Sequence, residues 1–167
     1  MDPLVIVGVI GLSTAIRVEH LSYQYPGVDN TPGVSVFKDL SLEVESGSFV
    51  AVLGSNGCGK STLLGAIAGL EQLDSGSIVV DGEEVRGPSP RIGLMPQRDQ
   101  LFEWKTILEN VMLGLQVRQQ DTPEHRTQVL SLLERYGLAD FAQKRPSQLS
   151  GGMRQRCALI RTLAIQP

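Results

Sequence analysis

Between Phe49 and Leu70 the chain reads FVAVLGSNGCGKSTLLGAIAGL, and no other stretch constrains its fold as much. Phe49–Leu53 is a continuous apolar run with the character of a buried parallel strand. A glycine-rich loop follows at once, and Ser61–Leu70 then has a helical pattern. Strand, glycine loop and helix in that order place the chain in the α/β class. The loop meets the pattern G-x-x-x-x-G-K-[ST] at Gly54, Gly59, Lys60 and Ser61. Glycines let such a loop curl so that successive backbone N–H groups point at phosphate oxygens, and the next helix adds its unsatisfied amides and the positive end of its dipole. The phosphate-binding set expected here is Gly54, Ser55, Asn56, Gly57, Cys58, Gly59, Lys60, Ser61 and Thr62. Lys60 supplies a point charge at the β- and γ-phosphates, and the Ser61 hydroxyl is a candidate Mg²⁺ ligand.

Phosphate binding alone leaves GTPase, kinase and ATPase open. A guanine-reading Asn-Lys-x-Asp motif is absent from the sequence, and the basic residues concentrate after residue 143 rather than in an arginine-rich lid. The 167 residues suffice for one domain or slightly more. Their formal charge of −3 offers no basic field for nucleic acid, so none is expected as a partner. Cys58 and Cys157 lie far apart without metal-ligand spacing and are expected to be reduced.

Around the loop, residues 16–25 read as a strand and residues 25–35 as a Pro/Gly/Asn loop. Leu40, Leu42 and Val44 alternate with polar residues, which predicts a half-exposed antiparallel strand. Residues 78–80 predict a strand that turns at Asp81 and Gly82 into a hairpin, and Ile92–Met95 predicts another buried strand. The character then becomes helical. Thr106 and Glu109 form a capping box. Thr122 and Pro123 open a second helix whose apolar face is Val129, Leu130, Leu132, Leu133 and Tyr136, closed by Gly137. The N-terminal run at residues 4–12, LVIVGVIGL, falls short of the ~20 residues that span a bilayer, and no positive charge precedes it. Residues 1–15 are therefore expected to be a tail or an extra strand.

A second motif lies at residues 149–156, LSGGMRQR, within RPSQLSGGMRQRCALIRTLAIQP. Ser150 can cap a helix there, and Gly151 and Gly152 allow close backbone approach. From Phe141 onward the chain carries five basic residues and no acidic one. Together with the loop at Gly54, this segment resembles the ATP-binding cassette family, the motor subunits of ABC transporters, and the resemblance spans residues 16–167. It implies a P-loop NTPase core with a mixed sheet and an N-terminal antiparallel β portion, plus a helical subdomain. It implies a core over residues 16–96, a helical subdomain over 97–150, and a helix over 151–167 returning to the core.

In that family the LSGG segment contacts the γ-phosphate of an ATP held by a partner subunit's P-loop, which assigns Ser150, Gly151, Gly152 and Gln155 to the partner's site. Gln97 matches the family's glutamine that binds Mg²⁺ or the attacking water, and Tyr25 its adenine-stacking aromatic, with Tyr23 a less well spaced candidate. Lys60 and Gln97 are thus the expected catalytic residues, ATP and Mg²⁺ the cofactors. A second ATP-binding subunit, in a homodimer or heterodimer, and transmembrane permease subunits are the implied partners, on the cytoplasmic face of the membrane. LFEWKTILENVMLGL and Pro146 look most like importers of nitrate, sulfonate, taurine and related small ions.

Hydrolysis in this family also uses a strand ending in Asp-Glu and a switch histidine, which the resemblance places beyond LSGG. Asp81 reads as a turn residue, and neither His20 nor His125 matches the switch position. The fold is accordingly expected to be incomplete within these 167 residues. A nucleotide-binding module without turnover and a non-transport ABC ATPase stand as alternative expectations.

Overall fold

The structure is a computed structural model that describes residues 5–7, 14–27, 29 and 31–167, with side chains from residue 14 onward. Of the expected N-terminal tail, residues 1–4 and 8–13 lie outside the described residues. The chain divides into two units, residues 1–89 and 90–167.

The first unit is built on β2 (Thr14–Tyr25) and β3 (Val34–Glu45), twelve residues each, paired antiparallel. β5 (Ser75–Val80) joins the other edge of β2, and β6 (Glu83–Glu84) closes a hairpin onto β5. That hairpin turns at Asp81 (φ 49°) and Gly82 (φ 79°), the two left-handed residues that a two-residue turn of this hand requires. In β2 the buried positions are Val18, Leu21 and Tyr23, which breaks strict alternation. The register explains it: Val18 faces Leu42 and Leu21 faces Leu40, so Glu19 and His20 together oppose Ser41 in a bulge. Opposite this bulge Gly76 (φ 89°) lets β5 approach, since a Cβ there would sit 2.5 Å from the carbonyl oxygens of Glu19 and His20.

Helix α1 (Lys60–Ile67) covers the sheet with Leu63 and Ala66, packing on Val18, Leu21, Tyr23, Phe37 and Ile78. The strand expected at Phe49–Leu53 is shorter and differently placed. Only Ala51–Leu53 forms a strand, β4, and it pairs antiparallel with β1 (Val5–Val7). Phe49 is 84% and Leu53 53% exposed. A run apolar on both faces is buried only when neighbours cover both faces, and among the described residues β1 alone flanks it in the sheet. Every pairing among the described residues is antiparallel, so the expected parallel component of a mixed sheet is not found there.

The second unit packs α2 (Ile107–Val117), α3 (Pro123–Arg135) and α4 (Gly151–Ala164) around one aliphatic core. The capping box is present: Thr106 Oγ1 accepts from the Glu109 amide at 3.2 Å, and Glu109 Oε2 accepts from the Thr106 amide at 2.6 Å. Thr122 caps α3 with Pro123 at its first position, and Gly137 (φ 70°) follows its C-terminus. Val129 and Leu133 are buried, whereas Leu130 lies off the face at 43% exposure. Asn110 is the fully buried polar side chain of this core. Its Oδ1 accepts from the Phe102 amide at 2.7 Å, and its Nδ2 reaches the carbonyls of Phe102, Lys105 and Thr106, so the turn before α2 is tied to the helix.

Ile92–Met95 is not a strand. Gly93 lies against Thr162 and Pro167, where a Cβ would come within 2.6–2.8 Å of both side chains, so the segment runs along the end of α4 rather than beside a strand. No helix of the described residues is long and apolar enough to cross a membrane.

Candidate functional site

In the first unit the glycine loop leads from β4 into α1. Gly59, the residue before the helix, has φ 99°, and a Cβ on it would lie 2.7 Å from Val36 Cγ1 and 2.8 Å from Phe37 Cε1. Dihedral and space both demand glycine at that position. Gly57 (φ 82°) needs glycine for its dihedral alone, because nothing stands within 4 Å of where its Cβ would be.

The first bond of α1 runs from the Leu63 amide to the Gly59 carbonyl at 2.8 Å. The amides of Lys60, Ser61 and Thr62 precede it, and Gly59 has no side chain to cap them. The N-termini of α2, α3 and α4 are all capped, by Thr106, Thr122 and Ser150. The Lys60 ammonium folds back over the loop and donates to the carbonyls of Gly54 (2.9 Å) and Ser55 (2.7 Å), with Cys58 Sγ at 3.7 Å. Ser55, Asn56 and Ser61 are exposed around it, and Thr62 is buried. A cation, a row of uncapped amides and free hydroxyls form a donor set that fits a polyphosphate and the divalent cation it carries.

Tyr25 belongs to the same unit. It is 42% exposed and shares a 3.1 Å hydrogen bond with Thr62 Oγ1, which places the aromatic beside the first turn of α1. Tyr23, the alternative aromatic, is buried, and its phenol donates to Glu71 Oε2 at 2.7 Å. Tyr25 is therefore the tyrosine of the two with a face to offer.

The second unit brings together Gln97, Ser150, Gly151, Gly152 and Gln155. Ser150 Oγ accepts from the Met153 amide at 3.4 Å, capping α4. Gly151 and Gly152 are exposed, and a Cβ on either would meet open space. Glycine in a helix costs up to about 1 kcal/mol relative to alanine, and among the described residues no close neighbour requires it at either position. The backbone of the first turn of α4 therefore has no side chain over it at these two positions. Gln155 Nε2 donates to the Gln97 carbonyl at 3.2 Å, while the Gln97 side chain is exposed.

Two further residues of α4 hold the same loop. Arg154 donates through Nε and Nη2 to the Asp99 carboxylate at 2.9 and 3.1 Å and pairs with Glu103 at 2.7 Å. Arg161 donates to the carbonyls of Asp99 (2.7 Å) and Gln100 (2.8 Å). The Arg154 guanidinium, with the Leu101 amide, holds the Asp99 carboxyl below its ordinary value, and the pair raises Arg154 in turn. Burial pushes the Cys157 thiol up to about 11, which leaves it an inert core residue. The seven-residue spacing of Arg154 and Arg161 is a legible helix-face signal, but their partner Asp99 lies 55 and 62 residues away and carries no local signature.

The remaining titratable candidates sit elsewhere. Asp81 is exposed on the β5–β6 turn, His20 pairs with Asp39 at 2.5 Å, and His125 bonds to Thr122 at 3.1 Å.

A family profile described as ABC transporter matches residues 37–167. The chain is 42% identical over 152 residues to a Bacillus subtilis protein named uncharacterized ABC transporter ATP-binding protein YtlC, covering 91% of this chain and 58% of that protein. It is 41% identical over 133 residues to the taurine import ATP-binding protein TauB of Pseudomonas aeruginosa, covering 80% and 51%. With the sulfate/thiosulfate import ATP-binding protein CysA of Synechococcus elongatus it shares 48% identity over 158 residues, covering 93% and 44%. The chain thus spans about half the length of the curated relatives it matches. Among solved structures it resembles cbiO1 from Clostridium perfringens, described as part of the ABC transporter complex cbiONQ, with a TM-score of 0.73 at 24% identity over 93% of this chain and 63% of that one. It also resembles the ATP-binding cassette MJ0796 bound to ADP and Pi, with a TM-score of 0.68 at 24% identity, covering 91% and 70%. These two likenesses concern the fold alone.

Proposed function

The chain belongs to the ABC transporter ATP-binding family, and from that membership we propose that it forms the nucleotide-binding and signature portions of an importer's energy-coupling subunit. The observation that carries this reading is the bare N-terminus of α1 beneath a glycine loop, with the Lys60 ammonium held over it by the Gly54 and Ser55 carbonyls. Those carbonyl contacts are what a phosphate chain would replace. Loop amides from Ser55 to Thr62 would then hold phosphate oxygens, Lys60 would neutralise charge at the outer phosphates, and Tyr25 would stack on the base.

Among the described residues no group of three or more His, Cys, Asp or Glu could hold a metal. The Ser61 hydroxyl, beside the phosphates, would be a ligand of the Mg²⁺ that ATP carries. Bound Mg·ATP supplies the reactive phosphoanhydride and neutralises the charge that develops as it breaks. Ser150, Gly151, Gly152 and Gln155 would meet the γ-phosphate of a nucleotide held by a second subunit, which explains two exposed helical glycines that the chain itself does not need.

By the family's pattern Gln97 would bind Mg²⁺ or the attacking water, and we assign the metal's acidic ligand and the switch histidine to none of the residues named so far. Asp81, His20 and His125 are the nearest sequence look-alikes, and each is committed to a turn or to a local partner. Permease subunits are the proposed membrane partners, with the protein on the cytoplasmic face, and small anions of the taurine and sulfate type are the proposed cargo, on the strength of the relatives' names.

Titration of the chain with Mg·ATP tests the reading. Lys60→Ala removes charge-assisted contacts of about 1.5–3 kcal/mol, so affinity should fall roughly 10- to 150-fold. An unchanged affinity overturns the assignment.

A further inference from the structure

The face of β2 that packs against α1 carries two tyrosines whose roles differ. Tyr25 is the one exposed, and its hydroxyl meets Thr62 Oγ1 in the first turn of α1. Tyr23 stands two residues earlier, and its ring meets the Tyr25 ring edge-on, with centroids 5.0 Å apart and planes at 83°. That arrangement sets the electron-poor rim of one ring against the electron-rich face of the other. The Tyr23 phenol donates to Glu71 Oε2 at 2.7 Å.

Glu71 lies four residues beyond the end of α1, and its carboxylate rests on that helix: a Cβ on Gly65 would be 3.3 Å from Oε1. The four side chains Glu71, Tyr23, Tyr25 and Thr62 therefore form a line of contacts that starts just past one end of α1 and finishes in its first turn. A cavity of about 410 Å³, lined by Tyr23, Gln24, Pro26, Gln72, Leu73 and Asp74, lies alongside. Core packing holds one side of the Tyr23 ring, and the bond to Glu71 fixes its hydroxyl end beside this groove. The same bond pushes the Tyr23 phenol up to about 12, so it remains a protonated donor throughout the neutral range.

We propose that Tyr23 and Glu71 are positioning residues for base recognition: Glu71 holds Tyr23, and Tyr23 with Thr62 holds the Tyr25 ring in place before a nucleotide arrives. The inference rests on the reading of Tyr25 as the residue that stacks on the base. Its physical content is pre-organisation. A ring that must be immobilised on binding costs rotamer freedom that a ring already held does not. Because the line begins and ends at α1, the base platform and the phosphate cradle are referenced to one rigid element.

The test separates base from phosphate. The chain is titrated with Mg·ATP and with Mg·tripolyphosphate, which has no base. Tyr23→Leu, which loses both the ring and the hydroxyl, should weaken ATP roughly three- to tenfold while tripolyphosphate affinity stays as in the unmodified chain. Tyr23→Phe, which keeps the ring, should fall between the two, and Glu71→Gln, which keeps an acceptor, should restore most of the affinity lost in Glu71→Leu. ATP affinity unchanged in Tyr23→Leu overturns the proposal. So does an equal weakening of both ligands, because it would mean a packing defect transmitted to the loop. If Tyr25→Leu leaves the ratio of the two affinities unchanged while Lys60→Ala weakens both ligands, the base-stacking role fails and the proposal with it, yet the phosphate site stands. If Lys60→Ala affects neither ligand, the nucleotide reading itself is wrong.

Discussion

Glycines in this chain serve two opposite purposes, and the difference is measurable. Gly59 is required by the chain itself, with a left-handed dihedral and no room beside Val36 and Phe37. Gly59→Ala should cost about 3 kcal/mol in urea unfolding, from roughly 1–2 kcal/mol of dihedral strain and a further 1–3 for overpacking. Gly152 lies in a helix with open space around it. Gly152→Ala should leave unfolding unchanged or raise stability by about 0.5–1 kcal/mol, while lowering ATP turnover in an assembled pair of subunits. A loss of stability in Gly152→Ala would mean that the glycine serves the fold after all. Both glycines stand in recognisable motifs, but only three-dimensional surroundings separate the one that the fold requires from the one that we propose a ligand requires.

Helix boundaries were legible where the chemistry that ends a helix is local. Thr106 with Glu109, Thr122 with Pro123, and Ser150 each cap the helix that their spacing predicts. Strands were less legible, because their pairing is not local. The bulge at Glu19 and His20 resets the side-chain phase of β2, so its alternation looks imperfect in sequence. Ile92–Met95 has strand-like residues but lies along the end of α4. The clamp of Arg154 and Arg161 on the Asp99 loop was not visible either, since its partners are more than 50 residues apart.

That clamp has a pH signature. The Asp99 carboxyl is held below its ordinary 3.8, chiefly by Arg154. A lowered acid stabilises the folded unit at all pH values above the ordinary one, and the contribution is lost as pH falls through the depressed value. Asp99→Asn should therefore be less stable than the unmodified chain near pH 7, and the difference should close as both are unfolded at pH values progressively below 3.8. A gap that persists undiminished in acid would assign the effect to packing rather than to charge.

Among the described residues two hydrophobic clusters form, one drawn from residues 16–85 and the other from residues 101–164. Leu133 is fully buried in the second. Leu133→Ala should cost about 2–5 kcal/mol. Hydrogen exchange should report the loss at amides of α2, α3 and α4 and leave those of β2, β3 and α1 as they were; uniform loss across both clusters would show a single cooperative core. The exposed Phe49 and Leu53 belong to neither cluster. Their apolar run nonetheless looks, in sequence, like the most buried strand of all. From the sequence came the α/β class, the phosphate loop, the signature helix and the family, because dihedral demands, helix caps and ligand-facing backbone leave marks within a few residues. Tertiary structure alone decided what holds Tyr23, which strands pair, and what holds Asp99 to α4, because those outcomes depend on groups that meet only after the chain has folded.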